Sequence, residues 1–510
     1  MKHLLLSLFF LLTIASVYPQ SELQISHTKK VIGKNLKTNS DIRATEYVFP
    51  ERINDISVDT ITNLLTVQLR GLTKNEKYLT KNGDILLYNL TNDSLKWSKK
   101  LNYYAGKIHQ QGDMIIRTEE NKSYCMDIET GEDKWDIPNR IYIVDAKHRI
   151  GIGYKTKGFG GDGTLQGINL TTGAVIWDRK LKDGYEWDNT HTYKLEGFFH
   201  LNDSVLIAVV RGLHAMNVKT GKGWDYDAVT GYLHFVYGSV GDQVSNLIMD
   251  STSIYWATKT QITRINKNGN IEWKAILPAE FTGKSTIFIK DSLLHMVNQG
   301  YGISVAKIND FKQVPIGRPY LGTFSLKTGM QLLLAIIEDK KQQINGLKVS
   351  KDTVFLVFKN RISKYNDNDA SLISEKTYVL DSLKELKGFV DKLVYIKADS
   401  TYKRLESIDS TKHYVWTEKE KVLKLNENLE IMNEVDVKQF YYLYLKTKDY
   451  RFIAKENETI ILDKADKIVA TLQASSDAKL IGSKLYVTQK QNLVVIDLAL
   501  FSALGHPRNF

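Results

Sequence analysis

Cysteine is almost missing. Cys125 stands alone among 510 residues, so no disulfide can form within the chain and a disulfide-stapled fold is excluded. Seven prolines exclude collagen-like and proline-rich classes. The histidines form no His-Glu-x-x-His pair, and no Gly-x-Ser-x-Gly elbow occurs. Neither a zinc peptidase nor a hydrolase of that design is supported. Helical periodicity is scarce: residues 379–388 are the one helical candidate, and they read equally well as a loop. The N-terminal apolar run, Leu4 to Ala15, is 12 residues, short of the roughly 18–20 that a spanning helix needs.

That run follows Lys2 and His3 and gives way to a small polar stretch, which is the build of a secretory signal peptide over residues 1–20. The cut is expected between Ala15 and Ser21, placing the mature chain, 21–510, in the periplasm or outside the cell. No cysteine lies near that junction, so a lipid anchor there is not expected. Hydrophobic residues make up 43% and charged residues 25%, enough for a sizeable core and too much for wholesale disorder. The net charge is +11, carried by lysines scattered along the whole length. They read as solvated strand faces, with weak attraction to anionic envelope polymers or membranes. For an exported chain, nucleic acid is not the expected partner. Cys125 sits in a strand-like alternation and reads as a small buried apolar side chain.

A repeat dominates what is present. Five segments share one plan: 88–97, 126–135, 168–177, 216–224 and 265–273. Each has a short apolar run, a polar turn and a closing tryptophan: Trp97, Trp135, Trp177, Trp224 and Trp273. Four of the turns hold a glycine (Gly131, Gly173, Gly221, Gly269), the residue that supplies the positive φ of a tight hairpin. The tryptophans recur at intervals of 38, 42, 47 and 49. A second signal precedes each hairpin, an Asp-containing turn followed by a β-branched run, as in 112–118, 202–210, 290–297, 351–358 and 391–396. Together they make a strand–turn–strand module of about 40–45 residues, the size of a four-stranded propeller blade. Beyond Trp273 the plan persists without the indole in 324–332, 365–373, 423–431 and 462–470, with Leu333 in the tryptophan slot of the first. The last piece, 484–498, is expected to pair with residues near 25–70 and remove the open sheet edges. The fold expected is all-β, a single closed propeller of about eight four-stranded blades, with seven or nine possible.

The pattern apolar–x–apolar–x–Thr–Gly–x–x–x–Trp resembles the repeats of the pyrroloquinoline-quinone-like (PQQ-like) β-propeller family, specifically over 84–273 and topologically over 274–498. In that family the tryptophan docks against a neighbouring blade. One branch holds the quinone and a calcium ion on the axis, typically beneath a disulfide between adjacent cysteines. The other comprises non-catalytic, BamB-like periplasmic propellers. With one cysteine and no matching ligand motif, the chain lies closer to the second, and neither PQQ nor calcium is expected. The function expected is a non-catalytic binding scaffold holding a protein or cell-envelope partner. A quinoprotein dehydrogenase and a polysaccharide-binding or polysaccharide-cleaving propeller are the alternatives.

Two motifs carry duller readings. GFGGDG (158–163) formally matches a nucleotide loop, but strands flank it on both sides where a helix should follow. Asp367 and Asp369 alternate as in calcium loops, yet the glycine at the sixth position and the glutamate at the twelfth are missing. Asp followed by Ser or Thr recurs along the chain, and strand-initiating turns account for it. The candidate binding rim is Phe159, Tyr185, Trp187, His191 and Tyr226. It lies on loops expected at one face, where exposed aromatics suit protein or glycan recognition.

Overall fold

The structure is a computed structural model. It describes residues 23–501 apart from 37–38, 104–106, 112, 120–121, 158–159, 181–197, 203, 210–212, 227–244, 308–309, 316, 339–343, 381–383, 391–392, 399–402, 407–412, 438–439, 456–457, 466 and 474–477. Within these limits the chain is all-β, with helix confined to single turns such as Leu498–Phe501. Eight separate four-stranded antiparallel sheets follow one another along the sequence, beside a two-stranded hairpin and an eleven-stranded sheet. Two further four-stranded sets lie inside the large sheet, 440–472 and 478–497 plus Ser40–Val48 (β2). We number the sets as units one to ten from residue 53. Unit five is the compact case and occupies only 248–276.

Each unit is built alike. Its second and third strands read as near-continuous apolar runs because both faces are covered; Leu64–Leu69 is buried at every position. The fourth strand alternates, as in Ile271–Ile276, where Trp273 and Ala275 point inward. The turn into the fourth strand has its own chemistry. In units one, two, three and seven the third strand ends in Asn or Asp, whose side chain accepts the N–H two residues on, at 2.8 Å for Asn89, 2.7 Å for Asp127 and 2.8 Å for Asn169 and Asn366. This is an Asx turn. A left-handed residue follows, taken by Gly131, Gly173, Gly221, Gly269 and Gly329, and also by Asp93, Ala370 and Leu429. The turn geometry thus extends into units that lack the tryptophan.

Just past the turn, the ladder of units one, two, three, five, six, seven and eight shifts by one residue, a β-bulge in the fourth strand. Bulges twist an outer strand and blunt its open edge. Unit four has no shift, and Ala215 faces Trp224 directly. The sequence accounts for this, because Trp224 lies three residues past Gly221 while Trp177 lies four past Gly173. One residue fewer removes the bulge and keeps the indole in register.

Apolar cores sit between units. Met114, Cys125 and Ile141 join units two and three; Leu213, Ile254 and Ile265 join four and five; Val357, Val415 and Leu423 join seven and eight. Among the described residues each unit shares a core with the next except eight and nine, which contribute separate clusters. The first and last units meet through Tyr486 and Leu493 against Leu65 and Leu86.

The chain ends share one sheet. Thr45 to Val48 of β2 pair with Val495 to Asn492, so an N-terminal strand completes unit ten. The Asx turn that would open a fourth strand survives there, with Asp497 accepting the Ala499 N–H at 2.9 Å. Strand β1 (Ser26–Asn35) pairs with β2 on one side and with Ala470–Leu472 of unit nine on the other. Glycine is required at position 33, where a Cβ would come within 1.9 Å of the Thr471 carbonyl oxygen. The helical candidate 379–388 is not a helix where described: Leu386–Phe389 opens unit eight as a strand, because its side chains alternate between buried and exposed.

Candidate functional site

The five tryptophans make one repeated contact. Trp97, Trp135, Trp177, Trp224 and Trp273 donate their indole N–H to the carbonyls of Ile128, Leu170, Val218, Lys267 and Leu326, at 2.8, 3.2, 2.8, 2.9 and 3.0 Å. Every acceptor lies in the turn of the following unit. Each ring also covers that turn's left-handed glycine, leaving no room for a side chain: a Cβ on Gly173 would approach the Trp135 ring to 2.8 Å, and one on Gly329 the Trp273 ring to 2.5 Å. The contact fixes successive units in the same orientation. Leu333 faces Thr323 at the ladder position that Trp273 holds opposite Arg264.

Charged clamps reinforce these junctions. Arg179 of unit three donates to Ala215 O at 2.7 Å and Trp224 O at 3.0 Å, and pairs with Asp225 at 2.6 Å. His214 meets the same carboxylate at 2.8 Å. That hydrogen bond, with Arg179 behind it, holds the Asp225 carboxyl below its ordinary range against the opposing effect of burial. Lys290 of unit six bridges Asp352 and Asp367 of unit seven at 2.6 and 2.9 Å. Asp367 is therefore a buried ion-pair partner, and the Asp369 carboxylate accepts the Ser371 N–H at 2.9 Å. The Arg179–Asp225 pair and the Lys290 bridge to Asp352 and Asp367 each cross from one unit to the next. Among the described residues no group of three or more His, Cys, Asp or Glu is placed to hold a metal ion. Cys125 is buried, and burial pushes its thiol up to about 11.

Phe159, Tyr185, Trp187 and His191 lie outside the described residues. Tyr226, expected on the exposed rim, is instead buried at 8% exposure. The strand Gly223–Tyr226 carries it inward, where its hydroxyl meets Thr263 Oγ1 at 3.0 Å and its ring packs edge-on against Trp256. Around GFGGDG, Ile150–Lys157 pairs with Gly160–Asn169 as one antiparallel hairpin, without the helix a phosphate loop requires.

One open cleft is present that the motifs did not indicate. It has a volume of about 850 Å³ and lies on unit one. It is lined by the strand ends Asn82–Asp84 and Lys100–Asn102, by Glu51 and Lys81, and by Gly71, Leu72, Thr73 and Thr80 of the loop 71–80. The loop is a small rigid hairpin: Leu72 bridges Leu79, Thr73 N–H donates to Tyr78 O at 2.7 Å, and Thr80 N–H to Gly71 O at 2.9 Å. Arg70 anchors it, donating to Thr80 O at 2.9 and 2.7 Å and lying 5.2 Å above the Tyr103 ring. Burial raises the Tyr103 phenol, whose hydroxyl donates to Asp84 O at 2.5 Å. Lys100 is held above its ordinary value by its hydrogen bond to Asp84 at 2.8 Å.

The two ends of the units differ. With strands in sequential antiparallel order, the loop between second and third strands lies at the same end as the connector to the next unit. At that end lie 70–81 and the hairpin Tyr301–Lys307 with Asp310–Pro315. The opposite end carries the tight Asx turns, with the inserted strands Leu393–Ala398 and Lys403–Glu406 of unit eight as the exception. No helix among the described residues is long and apolar enough to cross a membrane.

No family model matches the sequence, and no curated protein matches it. Among solved structures the chain is similar to BamB from Moraxella catarrhalis, with 13% identity, 72% of this chain and 96% of that one covered, and a TM-score of 0.32. It is similar to a eukaryotic initiation factor at 10% identity, 80% and 95% coverage and a TM-score of 0.37. The computationally designed Ika8 protein follows at 9% identity, 76% and 95% coverage and 0.30. Likenesses of this size carry no argument about function.

Proposed function

We propose that the chain is an exported, non-catalytic scaffold that holds a protein or cell-envelope partner. The observation that carries this reading is the asymmetry between the two ends of the units. Tight, capped turns recur at one end, and the loop 70–81 and the hairpin Tyr301–Lys307 with Asp310–Pro315 lie at the other, on a frame whose units are locked in register. A rigid frame presenting many loops is suited to recognition. The clamps of titratable groups are consumed by packing, which supports binding over chemistry and does not call for quinone or calcium.

The ten units are read as blades, and the pairing of β2 with Asn492–Asp497 as the device that closes them into one propeller. Resemblance to the PQQ-like repeats supports this reading through the docking of each tryptophan on the next unit. The test is capture from a cell-envelope fraction with the full chain as bait. A partner should be retained by the full chain and lost when loop 71–80 is replaced by a short turn, with the unfolding midpoint nearly unchanged. Retention of the same partner by the loop-replaced chain would contradict the assignment of the binding end.

A further inference from the structure

We infer that the cleft on unit one is a subsite for a neutral glycan segment; this rests on the scaffold reading and names the chemistry of one part of its binding end. The lining decides the class. Two carboxylates, Glu51 and Asp84, face two ammonium groups, Lys81 and Lys100, so the cleft as a whole carries no net charge and selects neither a phosphate nor a polyamine. Among the uncharged lining residues, Asn82, Asn102, Thr73 and Thr80 carry amides and hydroxyls. Leu101 is buried beneath the floor. Leu72 is the one exposed apolar side chain in the lining. An extended peptide needs apolar pockets for alternate side chains, and the cleft offers none. A polyhydroxylated ligand brings a donor and an acceptor on every hydroxyl, and mixed amide, carboxylate and ammonium groups answer both.

Three features add to this. The wall is preorganised by the Leu72–Leu79 bridge and by Arg70, so binding does not have to order it. Tyr78, on the same loop but outside the lining of the cleft, is 68% exposed, an aromatic ring available to a sugar that extends past the cleft. Lys100 keeps its side chain 82% exposed while its ammonium is fixed on the buried Asp84 carboxylate. A charged donor is thereby held at the mouth of the cleft in one place.

The experiment is titration of the full chain against immobilised neutral and anionic oligosaccharides, repeated with Asn82→Ala, Lys100→Ala, Tyr78→Ala and Tyr78→Phe. All of these positions are exposed, and circular dichroism and the unfolding midpoint confirm that each variant is folded. Neutral oligosaccharides should bind, weakening about tenfold in Asn82→Ala and Lys100→Ala, the scale of one lost hydrogen bond to a charged group. Tyr78→Phe should keep the affinity that Tyr78→Ala loses. Preference for anionic oligosaccharides, or binding indifferent to all four substitutions, overturns the assignment. Absence of any glycan binding also overturns it; if an envelope protein is still captured through loop 71–80, the scaffold reading stands without it.

Discussion

Trp177 donates its indole N–H to Val218 O at 2.8 Å, and its ring lies over Gly221, where a Cβ would come within 2.6 Å of it. One side chain thus satisfies a carbonyl and fills the space above a left-handed turn in the next unit. At 7% exposure, its truncation removes both contacts. Trp177→Ala should cost about 3–5 kcal/mol, read as a lower midpoint in chemical denaturation. A loss below about 1 kcal/mol, the scale of an ordinary surface change, would show that the indole is not what holds units three and four together.

The left-handed slot predicts substitutions of opposite sign. Gly221 has φ +66° with the Trp177 ring above it, and Ala370 occupies the corresponding slot of unit seven at φ +57°. Gly221→Ala introduces both strain and a clash and should destabilise by about 2–4 kcal/mol. Ala370→Gly relieves strain at the expense of unfolded-chain entropy and should be neutral to stabilising by about 1 kcal/mol. Thermal melts of the pair check the signs; a stabilising Gly221→Ala would contradict the turn assignment.

A buried histidine sets an acid limit. His413 lies 4.4 Å from Phe355 between ring centroids, with Lys348 Nζ 3.3 Å from its Nδ1. Burial first, then Lys348 and Lys364, depress it from 6.5 to about 4. The neutral ring is the form that the fold holds, so its contribution is complete above the unfolded value and is lost as pH falls toward the folded one. Stability should drop between about pH 6.5 and 4, by a figure on the order of 3 kcal/mol. His413→Asn should remove that component of the slope. An unchanged slope in the variant would assign it to other groups.

Position 33 controls the N-terminal strap. Gly33→Val would drive a side chain into the Thr471 carbonyl and should lift β1 from unit nine. Hydrogen exchange should then accelerate at Gly33–Asn35 and Ala470–Leu472, which pair in the native chain, and stay slow in units two to five. Unaltered protection at Ala470–Leu472 would show that β1 is dispensable there.

The five indole-bearing hairpins were legible because Trp, Thr-Gly and Asx turns recur at fixed offsets. The number of units was less so, since Asp93, Ala370 and Leu429 hold the left-handed slot and only the first belongs to a residue type known for that conformation. Glycine therefore undercounts the turns. Tyr226 was misjudged because a strand end and a loop start look alike in sequence, and the partner of its hydroxyl, Thr263, lies in the next unit. The cleft was not legible at all. Glu51, Thr73 and Lys100 come from three separate segments, and their meeting depends on the fold.

The most direct test of the whole account is a cross-link between the chain ends. Thr45 of β2 faces Val495, so Thr45→Cys with Val495→Cys, in a Cys125→Ser background, places two thiols on opposed strands. Mild oxidation should close a disulfide in the native protein and raise its unfolding midpoint, because the bond spans nearly the whole chain. Two thiols that stay free in the folded protein would contradict a closed frame.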